Sequence, residues 1–305
     1  MLNYSQAFYQ LKERLQKLYD ADEAAAIAHM FLEHLTGLNK SDRLLKKDTE
    51  FKEKQQQQYD VQSKELVKGK PLQYITNSAW FMGREFIVNE SVLIPRPETE
   101  ELVQWVLDDS KADGEKLKVR ILDIGSGSGC IGISLARLVG NAIVTCADVS
   151  KESIEVLKTN IEWVLTPEEK KRGADNITLK TLDFLNEMQR NKQLGRYDVI
   201  VSNPPYIPAT EKGKMHTNVK DHEPGIALFV PADDALVFYK AIAEFGKTHL
   251  TNEGVVYCEL EANHSAECKA LFETSGYINV EVRKDIHGNW RMLKAKINRP
   301  EQLEN

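Results

Sequence analysis

The chain is poor in the features that mark secreted, metal-stapled and membrane proteins. It has four cysteines in 305 residues, Cys130, Cys146, Cys258 and Cys268, and none forms a C-x-x-C pair. Their apolar or helical settings predict reduced structural thiols in a cytoplasmic protein, with no zinc or other metal site. No apolar run is long enough to cross a bilayer. The first residues, Met1-Leu2-Asn3-Tyr4-Ser5-Gln6, lack a basic stretch followed by an apolar one, so no signal peptide is expected. Positive charge is not in excess either. The formal net charge is -6, which argues against a surface that clamps nucleic acid throughout, while leaving room for a local basic groove. Hydrophobic content of 42% and charged content of 28% are those of a soluble globular protein. The length allows one large or two medium domains.

The first seventy residues read as a separate helical bundle. Tyr4, Phe8, Leu11, Leu15 and Leu18 recur at helix spacing. A second helix follows Asp20, with Ile27, Phe31, Leu32 and Leu35 on one face and Gly37 as its stop. Ser41 is placed to cap a third helix carrying Leu44 and Leu45, and a fourth runs from about Glu50 to Val67 before Gly69 and Pro71. Its Gln55 to Gln58 run reads as a solvated helix face. From residue 71 to 92 the pattern changes to a β-hairpin linker, with Leu72 to Ile75 and Trp80 to Val88 as strands and Asn77-Ser78 as the turn. Then Val92 to Glu100, stiffened by Pro95 and Pro97, leads into an amphipathic helix. Arg96 and Glu98 are either surface charge at a helix start or the edge of a lid.

Residues 93–305 alternate strands with helices, the pattern of a doubly wound α/β sheet whose ligands sit at the C-terminal strand edges. Four successive strands end in residues suited to a ligand. Val119 to Ile124 runs into Gly125-Ser126-Gly127-Ser128-Gly129 and a helix from Cys130. The G-x-G-x-G spacing differs from the G-x-G-x-x-G of dinucleotide binders and disfavours a nicotinamide oxidoreductase. With Asp123 before it, the loop suits a ligand with a zwitterionic end and no pyrophosphate. Asp148 ends the second strand, where an acid can accept two ribose hydroxyls. Asp183 and Phe184 end the third and can meet an adenine; Asp183 is equally a helix cap. The charged stretch Thr166 to Asp175 reads as an exposed loop.

The fourth strand, Tyr197 to Ser202, delivers Asn203-Pro204-Pro205-Tyr206. Two prolines force the chain out of the sheet at a fixed angle. Asn203 then presents a carboxamide, Pro204 a carbonyl and Tyr206 a flat ring. Two acceptors beside an aromatic wall can hold a planar –NH2, as on an amide, an adenine or a cytosine. The plain alternative is a proline-rich turn.

Together these stretches resemble the class I S-adenosylmethionine-dependent methyltransferases, and among them the release factor N5-glutamine methyltransferases (PrmC/HemK family). The resemblance rests on Pro71 to Ile75, Val92 to Glu100, Asp123 to Gly129, Ser202 to Ile207, Glu223-Pro224 and Asp285 to Arg291, with a helical bundle of fitting size before them. It implies a Rossmann-like seven-stranded mixed sheet behind a substrate-recognising bundle. It implies S-adenosylmethionine as methyl donor, S-adenosylhomocysteine as product and no metal. Cofactor contacts are implied at Asp123, Gly125, Ser126, Gly127, Ser128, Gly129, Asp148, Asp183, Phe184 and Asn203. Asn203, Pro204 and Tyr206 are the implied catalytic residues, and these with Pro205 the substrate-binding ones. The implied substrate is the glutamine of the Gly-Gly-Gln loop of class I release factors, with no membrane and no direct nucleic-acid substrate, and a monomer is expected. Rival readings are a ribosomal-protein glutamine methyltransferase, an amino methyltransferase of a flipped nucleic-acid base and a non-catalytic cofactor-binding adaptor. The chain departs from the family pattern at Asn77, where glycine is usual, and at Phe184, where some relatives carry tryptophan. It departs again in Glu259-Leu260-Glu261-Ala262-Asn263-His264, where Glu-x-Gly-x-x-Gln is usual.

Overall fold

The computed structural model describes residues 1–112, 118–215 and 217–297, so the expected domain end at 305 lies outside them. The chain forms two compact units. One comprises Met1–Ser78 with His216–His222, the other Ala79–Met215 with Glu223–Asn305.

The first unit is helical: Tyr4–Leu15, Ala21–Thr36, Lys40–Leu45, Glu53–Val67 and Leu72–Thr76. Asn3 and Gln6 form a reciprocal cap for the first helix, and Asp20 accepts from two backbone N–H groups of the second. Leu11, Leu15 and Phe31 are wholly buried, each contributing about 1.5–3 kcal/mol. Tyr59 buries its ring there and donates its hydroxyl to the Ala7 carbonyl at 2.8 Å.

Several local expectations are corrected here. Asn39, not Ser41, caps the third helix. Leu44 and Leu45 face solvent, and Arg43 is the buried side chain, donating to the backbone carbonyl of His29 at 2.8 Å. The glutamine run is not all solvated: Gln55 donates to the Leu35 carbonyl and Gln56 accepts from the Leu2 N–H. Leu72 to Thr76 is a helix, not a strand, closed by Asn77 in the left-handed conformation at φ 52°. Asparagine tolerates that conformation better than most residues, which explains how it replaces the usual glycine. The hairpin lies just beyond, Ser78–Phe81 pairing with Arg84–Ile87. Its turn is Met82-Gly83, both at positive φ, as a tight hairpin turn requires.

The second unit is built on seven strands: β1 Val119–Ile124, β2 Ala142–Asp148, β3 Ile177–Thr181, β4 Tyr197–Ser202, β5 Leu250–Glu259, β6 Tyr277–Lys284 and β7 Trp290–Ile297. Their order across the sheet is β6-β7-β5-β4-β1-β2-β3. β1 to β5 are mutually parallel, and β7 runs antiparallel between β5 and β6. The expected doubly wound seven-stranded mixed sheet is therefore observed. Strands buried on both faces read as near-continuous apolar runs, which is why alternation is weak in β1 and β4 despite Arg120, Asp123 and Asp198. Leu102, Val106, Ile133 and Leu157 cover one face, from helices Pro97–Ala112, Cys130–Leu138 and Lys151–Val164. Ile242, Phe245 and Phe272, from Val237–His249 and Ser265–Thr274, cover the other. Residues 166–175 are not the expected loop: Pro167–Lys171 is a short helix under a Thr166–Glu169 capping box. The strand order reverses between β1 and β4, and at such a switch point a crevice opens beyond the carboxyl ends.

Candidate functional site

A cleft opens at that point, walled by Gly125, Gly127, Asp148, Asp183, Phe184 and Asn203, among others. Register explains the meeting. Ile124 of β1 pairs with Ser202 of β4 and with Ala147 of β2, so the residues that follow emerge side by side. The Ser202 hydroxyl donates to the Ile124 carbonyl at 2.8 Å and locks the two strand ends.

The glycine loop is held to β2 by Gly125 and Ser126 N–H groups donating to the Ala147 carbonyl. Gly127, at φ 51°, donates its N–H to Asp148 Oδ2 at 2.8 Å. Gly129, at φ 81°, leaves no room for a side chain: a Cβ there would lie 2.6 Å from Leu157 Cγ. Asp148 Oδ1 accepts from Ser150 N–H at 2.9 Å. Burial raises the Asp148 carboxyl above its ordinary range, against the pull of these N–H groups.

Asp123 is wholly buried beneath the loop rather than in the cleft wall. Its Oδ2 accepts from Gly132 N–H at 2.9 Å, while its Oδ1 has no partner among the protein's groups. Burial pushes this carboxyl up to about 7, opposed by the Gly132 N–H and reinforced by nearby Asp148. The Ser126 hydroxyl is likewise buried without a partner. Ser128 is buried and its carbonyl accepts from Asn160 Nδ2 at 2.9 Å. A buried carboxylate with an orphaned oxygen fits a ligand bearing an ammonium group, and Asp148 at a strand end fits hydroxyls. The donor set thus fits a methyl donor with an amino-acid end and a ribose.

Asp183 Oδ1 accepts from Leu185 N–H at 2.9 Å within a turn, and the helix that follows, Glu187–Gln193, is capped by Asn186, so Asp183 is not the helix cap that the sequence also allowed. Phe184 is 5% exposed, packs in a T-shaped contact with Phe245 at 5.3 Å between ring centroids, and lines the cleft.

Asn203 and Pro205 face the cleft, Pro204 is buried behind them, and Tyr206 turns toward β5. Asn203 Nδ2 donates to Thr99 Oγ1 at 3.1 Å, and Thr99 donates to Glu259 Oε2 at 2.5 Å. Tyr206 donates to Glu259 Oε1 at 3.4 Å. Burial lifts the Tyr206 hydroxyl well above its usual range and pushes the Glu259 carboxyl up to about 7. With Nδ2 engaged, Oδ1 of Asn203 is the end left to accept from a ligand.

The sequence reading assigned no role to Thr99, Glu259 or Asn160. Asn160 is wholly buried and ties the Ser128 carbonyl to both backbone groups of Ile87. A polar residue on the apolar face of Lys151–Val164 was the available signal. Thr99 and Glu259 carried no such local signal, being 160 residues apart. The departure at Glu261 is accommodated locally, its carboxylate capping the N–H groups of Asn263 and His264. Among the described residues, no group of three or more His, Cys, Asp or Glu could hold a metal ion. No described helix is long and apolar enough to cross a membrane.

A sheet of this order, with a glycine loop after β1 and an acid after β2, defines a class I methyltransferase domain. Family models match in two places: one described as the PrmC N-terminal domain over residues 6–76, the other as the methyltransferase small domain over residues 106–220. A release factor glutamine methyltransferase of Flavobacterium psychrophilum is 37% identical over 293 residues, covering 96% of this chain and 98% of that one. A second, from Bacteroides thetaiotaomicron, is 36% identical over 285 residues, covering 93% and 97%. The crystal structure of a release factor-specific protein-(glutamine-N5) methyltransferase from Alicyclobacillus acidocaldarius is 27% identical, covering 70% of this chain and all of its own, with a TM-score of 0.41. On the sequence relatives, the chain belongs to the release factor glutamine methyltransferase family.

Proposed function

We propose that this enzyme methylates the side-chain amide nitrogen of the glutamine in the Gly-Gly-Gln motif of class I release factors, using S-adenosylmethionine and tuning translation termination. The relatives' names point to a release factor rather than to a ribosomal protein or a nucleic-acid base. The observation that carries the reading is Asn203, whose Nδ2 is taken by Thr99 and whose Oδ1 is left to accept, in the same cleft as Asp148.

S-adenosylmethionine supplies a methyl group on a sulfonium. Asp123 would hold its ammonium group, Asp148 its ribose, and Asp183 with Phe184 its adenine, while the N–H groups of the 125–129 loop would lie alongside. The protein's chief task is then the amide. A carboxamide nitrogen is a poor nucleophile because its lone pair is delocalised. Asn203 Oδ1 and the Pro204 carbonyl would accept its two N–H groups and fix the nitrogen in place, with Pro205 and Tyr206 beside it. This favours pyramidalisation through positioning and electrostatics, without a strong base. Proton loss follows transfer.

The helical unit is read as the substrate-recognition element, the hairpin as a linker, and residues 93–305 as the catalytic domain. We read the protein as a cytoplasmic monomer needing no metal. Incubation with labelled methyl donor and, separately, a release factor, ribosomal proteins and nucleic acid tests the substrate assignment.

A further inference from the structure

We propose that Glu259 is a positioning residue for this reaction, acting through the Thr99 hydroxyl to fix which end of the Asn203 carboxamide faces the cleft. The inference rests on the reading of Asn203 given above.

A carboxamide presents an acceptor at one end and donors at the other, in nearly the same shape. Only the oxygen can accept an N–H from a substrate amide. Turned the other way, Asn203 would set donors against donors. Something must therefore choose, and shape cannot.

The choice is made by a chain of hydrogen bonds with a direction. Glu259 is 2% exposed, and when ionised its carboxylate only accepts. Tyr206 donates to Oε1 at 3.4 Å, and Thr99 donates to Oε2 at 2.5 Å. Thr99 has a single hydroxyl proton. Once that proton is given to Glu259, the oxygen meets Asn203 with a lone pair, so Nδ2 must answer it, at 3.1 Å. The main chain at Glu259 is held as well: the Tyr239 hydroxyl donates to the Glu259 backbone carbonyl at 3.0 Å. The charged groups acting on Glu259 are Arg291, which favours the carboxylate, and Glu98, which opposes it. Arg291 is itself held by Asp285 at 3.2 Å and by the Leu260 carbonyl at 3.1 Å. Without the carboxylate, the Thr99 hydroxyl is free to donate to Asn203 Oδ1, and the wrong rotamer loses nothing.

The test compares wild type with Thr99→Val, Thr99→Ser and Glu259→Gln. It measures kcat and KM for an intact release factor, cofactor affinity by calorimetry, and melting. Thr99→Val keeps shape and removes the relay, so kcat should fall by roughly ten- to a hundredfold, the scale of losing one placed polar group. KM and cofactor affinity should stay near wild type, since the fault lies in orienting the reacting amide. Thr99→Ser should regain most of the lost rate. Glu259→Gln can offer Thr99 either a donor or an acceptor, so its kcat should lie between those of wild type and Thr99→Val; where Thr99→Val does not fold, wild-type turnover in Glu259→Gln overturns the relay. Wild-type turnover in folded Thr99→Val, or a Thr99→Ser variant as slow as Thr99→Val, would overturn the relay. A wild-type enzyme that leaves the release factor unmethylated would instead overturn the reading on which the relay rests.

Discussion

Arg96 Nη2 lies 2.6 Å from Glu223 Oε1, across 127 residues of chain. The other carboxylate oxygen accepts from the Ile94 N–H at 3.4 Å. Glu223 is nearly wholly buried, and Arg96 is about one-third exposed. The two segments they join both continue into the cleft wall, through Ser91 to Leu93 and through Ile226 with Ala227. Of the two sequence readings of Arg96, surface charge alone does not describe a side chain paired with a buried carboxylate. Glu223→Ala should therefore loosen both. We expect a loss of about 1–3 kcal/mol in stability, below the range for a fully buried pair because Arg96 stays partly solvated. Cofactor affinity should fall with it. Unchanged melting and affinity would contradict the coupling.

Asp148 receives Gly127 and Ser150 N–H groups and stands at a strand end in the cleft. If it also binds the ribose hydroxyls, Asp148→Ala should weaken S-adenosylmethionine binding by about 1–3 kcal/mol, the scale of hydrogen bonds to a charged group. Calorimetry on the folded variant checks this, and undiminished affinity refutes the assignment.

The buried Asp123 carboxyl predicts a pH dependence. Its ordinary value is about 4, and burial lifts it to about 7 in the fold. Between those values the folded chain keeps a proton that the unfolded chain releases, so stability falls as pH rises through that window. Glu259, also lifted to about 7, and Asp148, raised by burial, act with the same sign. A cationic ligand at Asp123 favours the ionised form. Cofactor affinity should therefore rise as pH passes about 7, and Asp123→Asn should flatten that rise. An affinity that is independent of pH, or equally dependent in the variant, would contradict the ammonium assignment.

A lone glutamine offers little binding energy, and a poor nucleophile needs accurate placement, so remote contacts should matter. The full chain should methylate an intact release factor far faster than a short Gly-Gly-Gln peptide. Removing residues 1–70 should erase much of that preference while leaving cofactor binding largely intact, with melting measured alongside. A folded truncation that keeps the full preference would show that the bundle is not a recognition element.

The parts legible in the sequence were those whose cause is local. β1 and β4 are apolar runs, and Gly125 and Pro204 end them abruptly, so the strand and its exit could both be read. Thr99 and Glu259 could not, because only the folded sheet brings a helix start to the end of β5. Leu72 to Thr76 misled because five residues are too few to separate helix from strand, and the deciding signals were its ends, Pro71 and left-handed Asn77. Leu44 and Leu45 misled because leucines commonly pack inward, yet here the bundle offers two backbone carbonyls, of Leu38 and His29, to the Arg43 guanidinium and leaves both leucines in solvent.

The most direct test of the account is to incubate the enzyme and its Asn203→Ala variant with methyl donor and an intact class I release factor, then map the methyl group by mass spectrometry. One methyl is expected on the side-chain nitrogen of the Gly-Gly-Gln glutamine. Turnover should drop about a hundredfold in Asn203→Ala, with cofactor still bound. A methyl at any other residue, none at all, or near-normal turnover by Asn203→Ala would contradict it.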